Sequence, residues 1–168
     1  MRNWIRSQRG LTLMEVMIAV AVVGIGLVAL SSAIPLAAYG IQEGNQLSSA
    51  IFLANQRLEQ VRNATWAAGP PCVDNVGASA TSSVAPTQTC NGAATTFADE
   101  SALAAPYAGY ARTVRITDCS TGAGCSGIVD ASIRQVIVTV SYRPMTGFGI
   151  AADGSVKSAV VTMYIAKR

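Results

Sequence analysis

The sequence predicts an α+β fold in which one long N-terminal helix packs on a small antiparallel β-sheet. Three observations predict it: an almost wholly apolar run over residues 11–34, an amphipathic helical stretch after it, and three β-rich runs near the C-terminus. The apolar face of such a sheet must be covered, and the amphipathic stretch is the helical segment that can cover it.

The amino-acid composition excludes several classes of function. Hydrophobic residues make up 51% of the 168 residues, which is too apolar for a disordered chain. Arg2, Arg6 and Arg9 account for the whole net charge of +3, since without them nine Lys and Arg face nine Asp and Glu. No basic patch indicates direct nucleic-acid binding. The absence of histidine excludes His-based triads, and we expect no enzyme and no metal site.

Residues 1–10 are polar and basic, and residues 11–40 form the predicted membrane helix. As a helix, Leu11–Leu30 would be about 30 Å long, the thickness of the hydrocarbon core of a bilayer. The arginines before it place the N-terminus in the cytoplasm, so the chain beyond residue 40 should lie outside.

The helix is predicted to continue over residues 41–66 as an amphipathic segment that ends near Trp66. Apolar residues recur there every three or four positions and form one stripe: Leu47, Ile51, Ala54, Leu58 and Val61. Pro35, Gly40 and Gly44 weaken the middle of this length. Two helices joined near residues 40–44 are therefore an alternative.

Residues 67–106 predict an irregular loop, and residues 107–168 predict the sheet. Alternating or β-branched runs indicate strands at Tyr107–Thr117, Ile133–Tyr142 and Val156–Ala166. We expect no catalytic role for the carboxylates of this part. Asp99-Glu100 is predicted to be a solvated pair, and Asp118 and Asp130 are predicted to be turn residues.

Four cysteines lie beyond the membrane segment: Cys72, Cys90, Cys119 and Cys125. An even count there suits an oxidising compartment, and neither spacing resembles a zinc pair. Two disulfides are the favoured interpretation, with four free thiols as the alternative. Of the three connectivities, sequential pairing is preferred because short loops close most easily.

Glu15 is the only ionisable side chain between Leu11 and Leu30. A carboxylate in hydrocarbon costs about 2.5–3.5 kcal/mol, and a mere anchor would have no use for it. If the chain is cut after Gly10, the new Leu11 amine lies about 6 Å along the axis from Glu15 on the same helix. It could meet Glu15 of a neighbouring helix directly and set subunit register. The alternative is that Glu15 reaches water at the membrane surface.

The basic leader, Gly10-Leu11-Thr12-Leu13-Met14-Glu15 and the apolar run together resemble the N-terminal cleavage and methylation motif of type IV prepilins and type II secretion pseudopilins. The resemblance implies a pilin-like roll, cleavage between Gly10 and Leu11 by prepilin peptidase, N-methylation of Leu11 and an assembly role for Glu15. One departure is Leu11 itself, because the first mature residue is usually Phe. Another is Ser32, which occupies a position where many major pilins have proline.

Two further segments, Val23–Leu27 and Ala54–Arg62, are similar to PilV-type minor pilins and to the I-type minor pseudopilin. The resemblance implies a minor pilin that resides in the bacterial inner membrane, with its C-terminal part in the periplasm, and later in a pilus at the cell surface. Its implied partners are prepilin peptidase and other major and minor pilins, and no cofactor is implied. The alternatives are a minor pseudopilin or an uncleaved anchor with a small periplasmic binding domain. A secretory signal is disfavoured because the apolar run is longer than a signal-peptide core.

Overall fold

A computed structural model describes residues 11–64, 66, 74–84, 97–120, 125–146, 149–150 and 155–168. Helix α1 spans Leu13–Asn63, and five strands follow: β1 (Tyr110–Asp118), β2 (Ile133–Tyr142), β3 (Met145–Thr146), β4 (Gly149–Ile150) and β5 (Lys157–Ala166). The helix packs on a three-stranded antiparallel sheet, which confirms the predicted α+β class.

Helix α1 contributes to two compact units, residues 1–41 and residues 42–168. It runs through Gly40 and Gly44 as one helix, which agrees with the prediction of a single helix and not with two joined ones. It ends at Asn63 rather than near Trp66, because the Ala64 N–H bonds the Val61 carbonyl in a tighter turn.

The sheet has the order β1-β2-β5, with both pairs antiparallel, and the short hairpin of β3 and β4 lies between β2 and β5 in sequence. Strand β2 has the predicted bounds. Strand β1 begins at Tyr110 rather than Tyr107, because two successive turns precede it. In these turns the Tyr107 N–H donates to Ala104 at 2.9 Å and the Tyr110 N–H donates to Tyr107 at 3.0 Å.

The core lies between the second half of α1 and one face of the sheet. Alternate residues of β2 are buried there: Val136, Val138, Val140 and Tyr142. The helix contributes Ala50, Leu53, Ala54, Leu58 and Val61. The first half of the predicted stripe is therefore wrong. Leu47 and Ile51 are 42% and 41% exposed, whereas Ala50 and Leu53 are buried.

The contacts of Gln46 orient this part of α1. Its side-chain amide donates to the Arg143 carbonyl at 3.3 Å, and its own carbonyl accepts the Tyr110 hydroxyl at 3.4 Å. The small side chains of Ala50 and Ala54 follow on the same face and allow the sheet to approach closely. The helix is thus rotated so that the alanines, rather than Leu47 and Ile51, meet the sheet.

Three residues in the described parts of the predicted loop belong to the core. Val76, Val84 and Phe97 are fully buried. Isolated bridges join Ser79 to Ile116 and Glu100 to Arg112, so this segment lies along β1.

A disulfide joins Cys119 to Cys125, and both residues are buried. It closes the segment that follows β1, where the Cys119 N–H donates to the Ile133 carbonyl at 3.1 Å. The other predicted pair, Cys72 and Cys90, lies outside the described residues, as do Gly10 and the rest of the leader.

Candidate assembly site

The first turn of α1 is closed by reciprocal bonds between Thr12 and Glu15. The Glu15 N–H donates to the Thr12 hydroxyl oxygen at 3.3 Å, and the Thr12 N–H donates back to Glu15 Oε2 at 3.1 Å. The Thr12 hydroxyl also lies 3.2 Å from Oε2. This arrangement is a capping box, in which two backbone N–H groups without helical partners are satisfied by side chains.

The capping box shows that the expectation that a mere anchor has no use for Glu15 is wrong. A helix anchor does have a local use for Glu15, because its carboxylate caps the helix start and carries negative charge near the positive end of the helix dipole. Sequence reasoning missed Thr12, although Thr-x-x-Glu before an apolar run is a recognisable signal. The Thr12 N–H and the Thr12 hydroxyl both donate to Glu15 Oε2, and a carboxylate has a second oxygen and further lone pairs. Capping therefore leaves Glu15 able to accept from a cation on another chain.

The apolar side chains of the first unit face outward. The exposed large residues include Leu11, Met14, Ile18, Val22, Ile25, Val28, Leu30, Ile34 and Leu36. Helix α1 is long and apolar enough in this part to cross a bilayer, and the apolar window is not buried within the chain. A surface of this kind requires either lipid or other apolar helices as its environment.

The serine hydroxyls within this apolar helix form hydrogen bonds with its own backbone. The Ser31 hydroxyl donates to the Leu27 carbonyl at 2.9 Å, and the Ser32 hydroxyl donates to the Ala29 carbonyl at 2.8 Å. Pro35 lies inside the helix and lacks the N–H that would bond the Ser31 carbonyl. Local bonds of this kind are how membrane helices tolerate hydroxyls, but neither bond reaches the Ser31 carbonyl.

Gly24 and Gly26 are not required by packing within the described chain. A Cβ atom added at either position would meet nothing within 4 Å. The glycines therefore leave the helix backbone open to close approach by another helix, which is the usual role of small residues at membrane-helix interfaces.

A partly buried ion triad ties α1 to the sheet in the globular unit. The Glu100 carboxylate pairs with Arg57 of α1 and accepts from Arg112 Nε of β1 at 2.7 Å. Arg112 also donates to the Leu53 carbonyl at 3.1 Å. Burial alone would raise the pKa of Glu100, but hydrogen bonds from Arg112 and Arg57 outweigh it and hold this pKa below its usual value.

A second buried pair joins Asp74 to Arg134 by two hydrogen bonds of 2.8 and 2.6 Å, with the guanidinium 4.3 Å above the Trp66 ring. Burial raises the pKa of Asp74, whereas the bonds from Arg134 and from the Gly77 and Val76 N–H groups lower it more. The lowered pKa therefore keeps the Asp74 carboxylate charged inside the fold.

Three further carboxylates of the described residues, Asp99, Asp118 and Asp130, also have structural partners. Asp99 is exposed to solvent, as predicted, and forms a two-pronged pair with Arg115 at 2.6 and 2.8 Å. Glu100 departs from the prediction, because it is partly buried between Arg57 and Arg112. Asp118 and Asp130 accept from the Ser120 and Ser132 N–H groups two residues on, as predicted for turn residues. In the part of the chain that the structure describes, no group of His, Cys, Asp and Glu side chains is arranged to hold a metal.

Comparison with known protein families identifies the N-terminal segment. Residues 5–31 match the prokaryotic N-terminal methylation motif. The match supports assignment of the chain to the type IV prepilin-like family, as the resemblance predicted. A motif of the prepilin type is a substrate of prepilin peptidase and implies assembly with other pilins, and the apolar helix indicates a membrane anchor. No curated protein and no solved structure matches the chain significantly.

Proposed function

We propose that this chain is a minor type IV pilin of the PilV type, a non-enzymatic subunit that the apolar half of α1 assembles into a pilus or into its priming complex. The observation that carries the proposal is the methylation motif at residues 5–31 on a helix whose apolar side chains face outward. Lipid satisfies that surface before assembly, and the helices of other subunits satisfy it afterwards.

Processing is the first step. Prepilin peptidase cleaves between Gly10 and Leu11, which removes Arg2, Arg6 and Arg9 and leaves a new amine on Leu11. The rest of the chain then has balanced side-chain charges. Loss of the cationic leader lets the N-terminal end of the helix leave the membrane surface, and N-methylation of the Leu11 amine retains its positive charge.

Register is the second step. The Leu11 amine of one subunit meets the Glu15 carboxylate of its neighbour, and that pairing fixes the axial offset between them. The Thr12 bonds to Oε2 support this role because they hold the carboxylate at the helix start. Glu15 therefore has two functions, capping its own helix and pairing with the next.

The mature N-terminus tests processing. Mass spectrometry of the membrane-extracted protein should find Leu11 as the first residue, with one methyl group. An intact Met1 would support the uncleaved anchor. Replacing Gly10 with a bulky residue, as in Gly10→Val, should block cleavage, and efficient processing of that variant would count against the proposal.

Two substitutions at Glu15 separate capping from pairing. Glu15→Gln keeps an acceptor for the Thr12 N–H but removes the charge, whereas Glu15→Ala removes both. Both variants should be cleaved normally and should be depleted from sheared filaments. Normal incorporation of Glu15→Gln would show that the cap, and not the charge, is what assembly needs.

The type of filament is tested by function. A deletion strain should lose surface pili or twitching motility while secretion is unchanged, and this chain should co-purify with other minor pilins. Loss of type II secretion with normal pili would support the minor pseudopilin instead.

A further inference from the structure

In the part of the chain that the structure describes, β5 is an edge strand of the sheet. At the opposite edge, β1 is met by the bridges at Ser79 and Glu100. Within the described residues, no strand or isolated bridge pairs with Lys157–Ala166 on its outer side. The outer edge is contacted just beyond the strand, where the Arg168 N–H donates to the Trp66 carbonyl at 2.8 Å. This strand has no proline, and its single charged residue is Lys157 at its start. Prolines, charges and bulges are the devices by which proteins usually protect an edge strand, and β5 has almost none of them.

A cleft lies beside this edge. Val161, Met163 and Ile165 point to the core side of the sheet, as Val136 and Val138 do, yet they are only partly buried. Between the end of α1 and β5 is a cleft of about 250 Å³, and Met163 and Ile165 line it. A fourth strand at β5 would direct alternate side chains into this cleft and complete the cover of the core.

The charges around the cleft indicate what kind of segment could bind there. Its described lining contains Arg62 and Arg168 but no Asp or Glu. The partner of Arg62 is Glu59, and this pair is solvent-exposed and therefore weak. A second copy of β5 does not fit, because antiparallel pairing would place its Lys157 near Lys167 and Arg168. An acidic segment does fit.

We propose that the outer edge of β5 and this cleft accept an extended segment of a different filament subunit as a fourth strand. The segment alternates apolar and polar residues and places a carboxylate near Arg62 and Arg168. Backbone hydrogen bonds along β5 supply affinity, and the cleft and the two arginines supply specificity. That the partner is a filament subunit rests on the proposed function.

Photo-crosslinking in the native host locates the contact. A photoreactive amino acid is placed at Thr162, an exposed β5 residue, or at the control Ala102, an exposed residue beside β1. The full-length chain carries either probe. Thr162 should form an adduct with a protein that has its own prepilin-type N-terminus, and peptide mapping should place the adduct in an extended acidic segment. Ala102 should not form this adduct.

Charge reversal tests the recognition. Arg62→Glu should reduce the Thr162 adduct at least about fivefold by like-charge repulsion. Arg62→Lys should retain it, and so should the matched control Arg143→Glu, which alters an exposed arginine at the far end of β5.

Equal adducts at Thr162 and Ala102, an adduct only with a second copy, an adduct with a protein that is not a pilin, or no effect of Arg62→Glu would each overturn the strand proposal. The mature N-terminus is measured on the same samples. Cleaved, assembled chain without the adduct refutes the fourth strand alone, whereas uncleaved chain refutes the proposed function.

Discussion

The two units of this chain use the same helix in opposite ways. In the first unit the apolar side chains of α1 are exposed, and its hydroxyls and Glu15 bond within their own turns. In the second unit apolar residues of α1 are buried against the sheet, and Arg57 bonds a residue distant in sequence, Glu100. The first surface can therefore exchange lipid for protein without breaking internal contacts, whereas the second is committed to one fold.

Truncation of a core side chain should give the largest difference in stability between variants of the two units. Phe97→Ala removes a fully buried ring and should lower the free energy of unfolding of the globular unit by about 3–5 kcal/mol. Denaturant unfolding of the full chain in detergent, followed by tryptophan fluorescence, measures this. Leu27→Ala, at an exposed position of the first unit, is the control and should shift the same transition by less than about 0.5 kcal/mol. Equal losses would contradict the division.

The ion triad should have the next largest effect. Glu100→Gln leaves Arg57 and Arg112 facing a neutral amide and should cost about 2 kcal/mol in the same unfolding measurement. Glu59→Gln, at an exposed pair with Arg62, should change stability by less than about 0.5 kcal/mol. If the two variants behave alike, burial does not strengthen the triad.

Acid should weaken the globular unit selectively. The pKa values of Asp74 and Glu100 are lowered in the fold, so the folded protein binds fewer protons than the unfolded chain at acidic pH. The stability from these groups is fully present above about pH 5 and is lost as the pH falls through the lowered values. The free energy of unfolding, measured at a series of acidic pH values, should fall as the pH is lowered. Glu100→Gln should make this fall less steep. An unchanged slope in that variant would assign the pH dependence elsewhere.

The smallest expected effect is at the helix start. Thr12→Val removes the capping hydroxyl and should destabilise the first turn of α1 by about 1 kcal/mol. Hydrogen exchange of the Glu15 and Val16 amides in detergent should become several-fold faster, while exchange in β2 stays the same. Thr12→Ser keeps the hydroxyl and should preserve protection.

Local patterns predicted much of the fold. The bounds of β2 and nearly those of β5 follow from β-branched alternation, and the apolar run predicted the first half of α1. The methylation motif is a contiguous segment, so it could be recognised without any tertiary information. The role of Thr12 could also have been predicted from the sequence, because a capping box depends on residues three apart in sequence.

What the sequence by itself determined is therefore local: the helix, the strand alternation, the turn residues Asp118 and Asp130, and the prepilin-type N-terminus. Only the tertiary structure decided which face of α1 meets the sheet, so that Ala50 and Leu53 are buried and Leu47 and Ile51 are exposed. It also decided that Phe97, in a segment without periodicity, completes the core. These outcomes depend on which surfaces pack closely across the chain, and no spacing along the sequence records that.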